Sequence, residues 1–295
     1  MEPGIFLTLG FGNRCKRTLG RSVTTLKIEG FHMKKLVLAL TAVAALTAPA
    51  LAADMAPRYA KAAPMPVAVA SWTGCYIAGG GGFGMWNQEN TAYVDLPVRT
   101  RVSDTYTNGG RGYFGTVGGG CDYQFGLGSW NMLVGAFGDY DFSDIKGKFN
   151  DVFSPGVGNE KLSSTWSVGG RVGWVVTPTF MTYFSGGYTE STFDQVNFTN
   201  LGVPFGVPTG LYIGKQNYKG YFLGAGDEYA LSFLPGLFWK TEYRFADLDT
   251  KTNARRLVAT GAVVGDSFDS HKYVHTIRSE LVYRFNWGSA VVAKY

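Results

Sequence analysis

The chain has 295 residues and a modest formal net charge of +5, with 17% charged residues. It carries 41 Gly, 21 Phe, 17 Tyr and 7 Trp, an excess of strand-forming aromatics and glycine that is unusual for a soluble enzyme. A mean hydropathy of −0.01 excludes a bundle of membrane helices, and the scattered basic residues give no support for binding nucleic acid.

In chain order, the first informative segment is an apolar run, Leu36 to Ala53. Lys34 and Lys35 precede it and Pro49-Ala50-Leu51-Ala52-Ala53 closes it. A basic start, a short apolar core and small residues at the end predict a cleaved signal peptide over 33–53. The core Leu36–Leu46 is short for a membrane-spanning helix. Translation is then expected to start at Met33, and residues 1–32 are set aside. Residues 54–71, rich in Ala, Pro and Met, read as an extended, disordered periplasmic linker. The remainder, 72–295, is expected to form one domain.

Strand-like runs fill that domain. Eight are predicted, near Trp72–Met85, Arg111–Phe125, Trp130–Asp141, Ser163–Val176, Phe180–Thr189, Tyr218–Ala230, Leu237–Asp247 and Lys272–Phe285. Each reaches the roughly ten residues that a tilted membrane strand needs. Short turns follow the second, fourth and sixth: Gly126–Ser129, Thr177–Thr179 and Leu231–Gly236. The other connections, Trp86–Gly110, Phe142–Leu162, Glu190–Asn217 and Leu248–His271, are long. Alternating short turns and long loops predict an all-β fold, an eight-stranded antiparallel transmembrane barrel, with the short turns and both chain ends on the periplasmic side. Ten strands stay open as an alternative if the third or fourth long loop hides a hairpin, since Val258–Val264 is apolar.

Alternation assigns the faces. Lys240, Glu242 and Arg244 share one face of the seventh strand, and Leu237, Trp239, Tyr243 and Phe245 share the other. Arg278, Glu280 and Arg284 share a face of the eighth, opposite Tyr273, Ile277, Leu281, Tyr283 and Phe285. Period two does not distinguish a soluble barrel from a membrane barrel; the export signal and the aromatic content favour the membrane. The polar set expected in the lumen is Asp139, Asp141, Arg171, Glu228, Lys240, Glu242, Arg244, Arg278, Glu280 and Arg284. These charges either pair across a plugged interior or line a narrow pore. Trp72, Tyr123, Trp130, Trp174, Phe180, Tyr229, Trp239 and Phe285 flank the short turns and are expected to form an interfacial girdle.

Several motifs resemble the OmpA-like, opacity-type outer-membrane barrels, which include small immunogenic porin-like surface barrels of Gram-negative bacteria. Trp72-Thr73-Gly74-Cys75-Tyr76-Ile77 resembles the first-strand signature, and Gly120-Cys121-Asp122-Tyr123-Gln124-Phe125 the second. Gly138–Ile145, Val168–Trp174, Gly224–Ala230, Lys240–Asp247 and His275–Phe285 resemble the third, fourth, sixth, seventh and eighth strands. The resemblance spans nearly all of 54–295 except the loops. It implies an abundant structural or surface protein of the outer membrane, inserted among its lipids by the barrel-assembly machinery, which reads a terminal aromatic, here Phe285 or Tyr295. Cys75 and Cys121 stand where the family has aromatics. Adjacent antiparallel strands bring them to the same outer face, as either a cross-strand disulfide or two thiols. Asp227 is an outward charge, tolerable only near the interface.

Motifs for chemistry are missing. Gly79–Gly84 lacks the Gly-Lys-Ser/Thr of a phosphate loop. No Cys/His spacing suits zinc, so no metal or cofactor is expected. Ser270, His271, His275 and Glu280 cluster near the last strand, but His275 and Glu280 differ by an odd count and face opposite sides, so an enzyme is not expected. The expected role is a structural, porin-like surface barrel; the alternatives are a narrow diffusion porin or a loop-mediated adhesin. Host or surface ligands would meet the long loops. Their aromatics Tyr93, Phe153, Phe198, Phe205 and Tyr212 are expected to pack the loops onto the rim.

Overall fold

The computed structural model describes residues 72–154, 156–202 and 204–285. The signal peptide 33–53, the segments 1–32 and 54–71, and the terminal Asn286–Tyr295 lie outside the described residues.

The described chain is one antiparallel sheet closed into a ring. Its strands are β1 (Gly74–Val94), β2 (Thr100–Arg101), β3 (Tyr106–Leu127), β4 (Trp130–Asp151), β5 (Gly156–Thr177), β6 (Phe180–Phe193), β7 (Val196–Asn200), β8 (Pro208–Ile213), β9 (Gln216–Ala230), β10 (Leu237–Leu257) and β11 (Val263–Phe285). The ring runs β1-β3-β4-β5-β6-β9-β10-β11 and closes where β11 pairs with β1, from Cys75↔Phe285 to Val94↔Asp266. Eight strands close it. The hairpin β7–β8 does occupy the third long connection, yet it pairs only with the far ends of β5 and β10 and never enters the ring. Val258–Ala262 is the tip of the β10–β11 hairpin.

The short turns are as tight as their sequences suggest. Leu127 pairs with Trp130 across a two-residue turn, where Gly128 has φ 61°. Such a turn needs a positive φ at its first central position, and glycine supplies it without steric cost.

The long connections differ from the sequence expectation. Most of Phe142–Leu162 is strand: β4 runs on to Asp151 and β5 begins at Gly156. Trp86–Gly110 and Leu248–His271 are extended likewise by β1, β3, β10 and β11. The physical reason lies in a change of polarity along each strand. Near the short turns the outward residues are apolar and the inward ones charged. Beyond about ten residues of strand the order inverts. In upper β4, Asp144, Lys146 and Lys148 point out, while Ile145 and Phe149 are buried inside. Ala92, Phe149, Val196, Phe198, Ile213 and Phe268 form an apolar core in this upper barrel. Phe149 packs edge-on against Phe198 and Phe268, and Phe153 joins Phe268. The upper section is thus built as a soluble barrel standing on a membrane barrel.

Inward glycines make room for this small ring. A Cβ on Gly112 would overlap the Asp144 carbonyl oxygen and sit 2.8 Å from the Ile145 Cα, both backbone atoms of β4. A Cβ on outward Gly115 would meet only the Gly80 carbonyl oxygen, at 3.9 Å. Gly112→Ala is therefore expected to destabilise the barrel by about 1–3 kcal/mol, whereas Gly115→Ala is tolerated. The urea midpoint of the refolded proteins, read by heat-modifiable gel mobility, checks this.

Candidate functional site: the lumen and its two rims

Because side chains alternate, every second residue of the ring strands enters the lumen. All ten charged residues that the pattern assigned to the lumen lie there, buried. They are not a lining around an open channel. They form two stacked ionic layers.

The layer nearest the short turns holds two arginines and two carboxylates. Arg171 donates to Asp122 and to Glu228, both at 2.5 Å. Arg284 donates to the same two residues, Asp122 at 2.6 Å and Glu228 at 2.5 Å, and to the Trp72 carbonyl oxygen at 3.1 Å. Each charge therefore touches two of opposite sign. The Arg284 guanidinium also lies over the rings of Trp72, Tyr76 and Phe238. Asp122 was not among the expected lumen charges. Its parity with Thr116 and Gly118 along β3 is the signal that could have found it.

The next layer is larger. Arg244 grips Asp139 through both terminal nitrogens at 3.0 Å and donates to Glu242 at 3.0 Å. Arg278 donates to Asp141 at 3.0 Å and Lys240 to Glu280 at 2.7 Å. Tyr183 donates its phenolic proton to Glu242 at 2.9 Å. The register explains the pair of Lys240 and Glu280, which stand opposite each other across β10–β11; Glu242, opposite Arg278, is bonded instead by Arg244, and Arg278 reaches Asp141. Opposite charges placed directly across strands attract, and here they do so away from water.

Above these layers the lumen turns aromatic. Lys272 donates to Glu160 at 2.6 Å, enclosed by the rings of Trp86, Phe193 and Tyr218. Higher still, Arg255 donates to Asp151 at 2.7 Å and to Asp266. Neither pair was expected, because both depend on the strand extensions. A cavity between Phe114, Asp141, Ile145 and Arg278 measures about 20 Å³, room for a single water molecule.

Seven of the eight aromatics expected in the girdle lie on the outer face. Tyr123, Trp130, Trp174, Tyr229, Trp239 and Phe285 are exposed there, and Phe180 packs on Tyr229. Trp72 departs from the expected girdle. It is 1% exposed and packs at a tilt against Phe238 inside the lumen, with ring centroids 4.7 Å apart. It precedes β1, so no ladder sets its direction, and closing the lumen floor buries more of the indole than the interface would. Asp227 is outward and exposed, between Thr182 and Thr241 of the neighbouring strands near the short turns. Cys75 and Cys121 face each other across β1–β3 and are joined by a disulfide.

The residues weighed for catalysis are dispersed. Ser270 is inside and donates to Asn90; Glu280 is inside on Lys240. His271 lies outside, bonded to Asp247 and Thr250, and His275 lies outside on Tyr243. Among the described residues no group of three or more His, Cys, Asp or Glu is placed to hold a metal ion. The loop aromatics divide: Phe153 and Phe198 pack into the upper core, Tyr93 lies under Arg99, Tyr212 is half-buried and Phe205 is exposed.

No family profile matches the sequence, and no curated protein sequence matches it. Solved structures similar to this chain are outer-membrane barrels, at low identity. The outer membrane protein OprG from Pseudomonas aeruginosa is 12% identical, covering 72% of this chain and 97% of its own, with a TM-score of 0.43. Ail, the attachment invasion locus protein of Yersinia pestis, is 11% identical, covering 70% of this chain and 99% of its own, with a TM-score of 0.30. The transport unit of the autotransporter AIDA-I from Escherichia coli is 12% identical, covering 83% of this chain and 97% of its own, with a TM-score of 0.34.

Removing one member of the first ionic layer strands buried charge. Glu228→Ala, which leaves Arg171 and Arg284 short of a partner, is expected to cost about 3–5 kcal/mol. Trp239→Phe, on the exposed girdle, should cost far less. Urea unfolding of both variants in the same detergent checks the contrast.

Proposed function

We propose that this protein is a non-conducting structural and surface barrel of the outer membrane, whose lumen is a rigid plug and whose upper barrel is its exposed working surface. The observation that carries this reading is the filled lumen. The members of the two ionic layers are no more than 8% exposed in their side chains. A diffusion pore requires water-lined charges and weak, multiple sites. Here each cation is held by carboxylates at hydrogen-bond distance, and eight strands leave an interior just wide enough for side chains.

The outer surface fits the same reading. From Tyr113 to Tyr123 in β3, Met132 to Phe142 in β4 and Trp166 to Val176 in β5, no outward residue is charged. That apolar band matches a bilayer, and the charged outer face of the upper barrel matches water. The buried Phe149–Phe198–Phe268 core makes the upper barrel stiff rather than loop-like. A partner at the cell surface would therefore meet a preformed β-surface and the hairpin tips. An enzymatic role has no support from the dispersed serine and histidines.

In a planar bilayer the refolded protein is expected to give no steady single-channel steps, with heat-modifiable mobility showing that it is folded. Reproducible steps of uniform size would overturn the plugged reading and make the ionic layers a selectivity filter.

A further inference from the structure

The first outward charges beyond the apolar band are unevenly distributed. On β3, β4 and β5 they are Arg111, Lys146, Lys148 and Lys161, with Asp144 as the one outward acid among the described residues of these strands above the band. On β10, β11 and β1 they include Asp247, Asp249, Asp269 and Glu89. The basic set is also aligned. Arg111 stands directly opposite Lys146, and Lys146 directly opposite Lys161, so three cations form one row across three strands. Like charges directly opposite destabilise a sheet. Asp144 is paired with both lysines: Lys146 donates to its Oδ2 at 2.9 Å and Lys161 lies 3.0 Å from its Oδ1. Hydrogen bonds from Lys146 and then Lys161 hold its carboxyl below the usual range, so it stays ionised. One carboxylate cannot balance the row, and among the described residues Arg111 and Lys148 have no ion pair.

The row sits where a headgroup would. Tyr113 lies two residues from Arg111 along β3, Phe142 four residues from Lys146 along β4, and both are exposed on the outer face. Trp166 is exposed on the same outer face of β5, opposite Tyr140 and five residues from Lys161. Aromatic rings of this kind settle at the boundary between hydrocarbon and headgroups. Directly above them, a cationic row next to lipid tails meets anionic groups of the lipid itself.

We propose that Arg111, Lys146 and Lys161 bind the phosphorylated headgroup of an outer-leaflet lipid, with Tyr113, Phe142 and Trp166 against its acyl chains. This rests on the short turns facing the periplasm. The phosphate supplies the anion that the row lacks, and Arg111 can take two of its oxygens at once. The site would anchor the barrel at a fixed depth and surround this side with ordered lipid.

The test uses the full chain refolded in a zwitterionic detergent, with retention of diphosphoryl lipid A read by native mass spectrometry. The variant R111Q/K146Q/K161Q is expected to bind about tenfold more weakly or worse. The variant K219Q/K251Q/R256Q, which removes the same charge from other strands, should stay close to the parent. Heat-modifiable mobility establishes that both fold. Equal weakening in the two variants, or none in the first, would overturn the proposal. So would equal retention of lipid A stripped of its phosphates, or loss of lipid A to an equal concentration of inorganic phosphate, which would point to a free anion as the ligand.

Discussion

A backbone in hydrocarbon has no water to satisfy its N–H and C=O groups, and everything else in this molecule follows from that demand. A sheet meets it only by closing, and here β11 returns to β1 over twenty residue pairs. Closure fixes one face of each strand toward lipid and gives the other a narrow interior. Eight strands leave that interior no width to spare. Polar residues sent inward must then satisfy one another, which is why Asp122, Arg171, Glu228 and Arg284 form a closed square of charge rather than a lining.

Along its axis, the same ring serves two solvents. Its lower part has charges inside and apolar residues outside; its upper part has phenylalanines inside and lysines outside. Lys272 and Glu160 sit near the crossover, an ion pair wrapped by Trp86, Phe193 and Tyr218. The inversion needs no change of backbone. Period two continues unbroken except at local bulges, such as those between Phe142 and Ile145 and between Leu248 and Lys251. The environment alone changes, and the side chains change with it. Extending the strands beyond the bilayer trades flexible loops for a stiff platform, at the expense of ordering many more residues.

The ionic layers and the aromatic shells around them work as one filling. Arginines lie over ring faces, Arg171 over Tyr76 and Tyr183 and Arg244 over Phe222, so the apolar packing is also where the charges rest. A buried ion pair is weak evidence for stability when isolated, because desolvation offsets attraction. A network in which each guanidinium meets two carboxylates and a ring face loses less on burial, and it holds the opposing walls in one register.

Much of the fold is written locally. The short turns, the ring strands and the faces that Lys240, Glu242, Arg244, Arg278, Glu280 and Arg284 occupy all follow from residue type and period two. Trp72 turns into the lumen rather than toward the interface because it lies outside any ladder, where alternation says nothing about direction. The strand extensions are not legible locally, because charged stretches such as Asp144–Asn150 read as loop unless the parity of Ile145 and Phe149 is followed. Alternation states which side chains share a face. It does not state which partners they meet across the lumen, because that depends on the stagger of eight strands around a ring. The contact of Arg171 with Glu228 and the wrapping of Lys272 exist only once closure has brought together strands distant in sequence, and the row of Arg111, Lys146 and Lys161 only once the β3–β4 and β4–β5 hairpins have set their register.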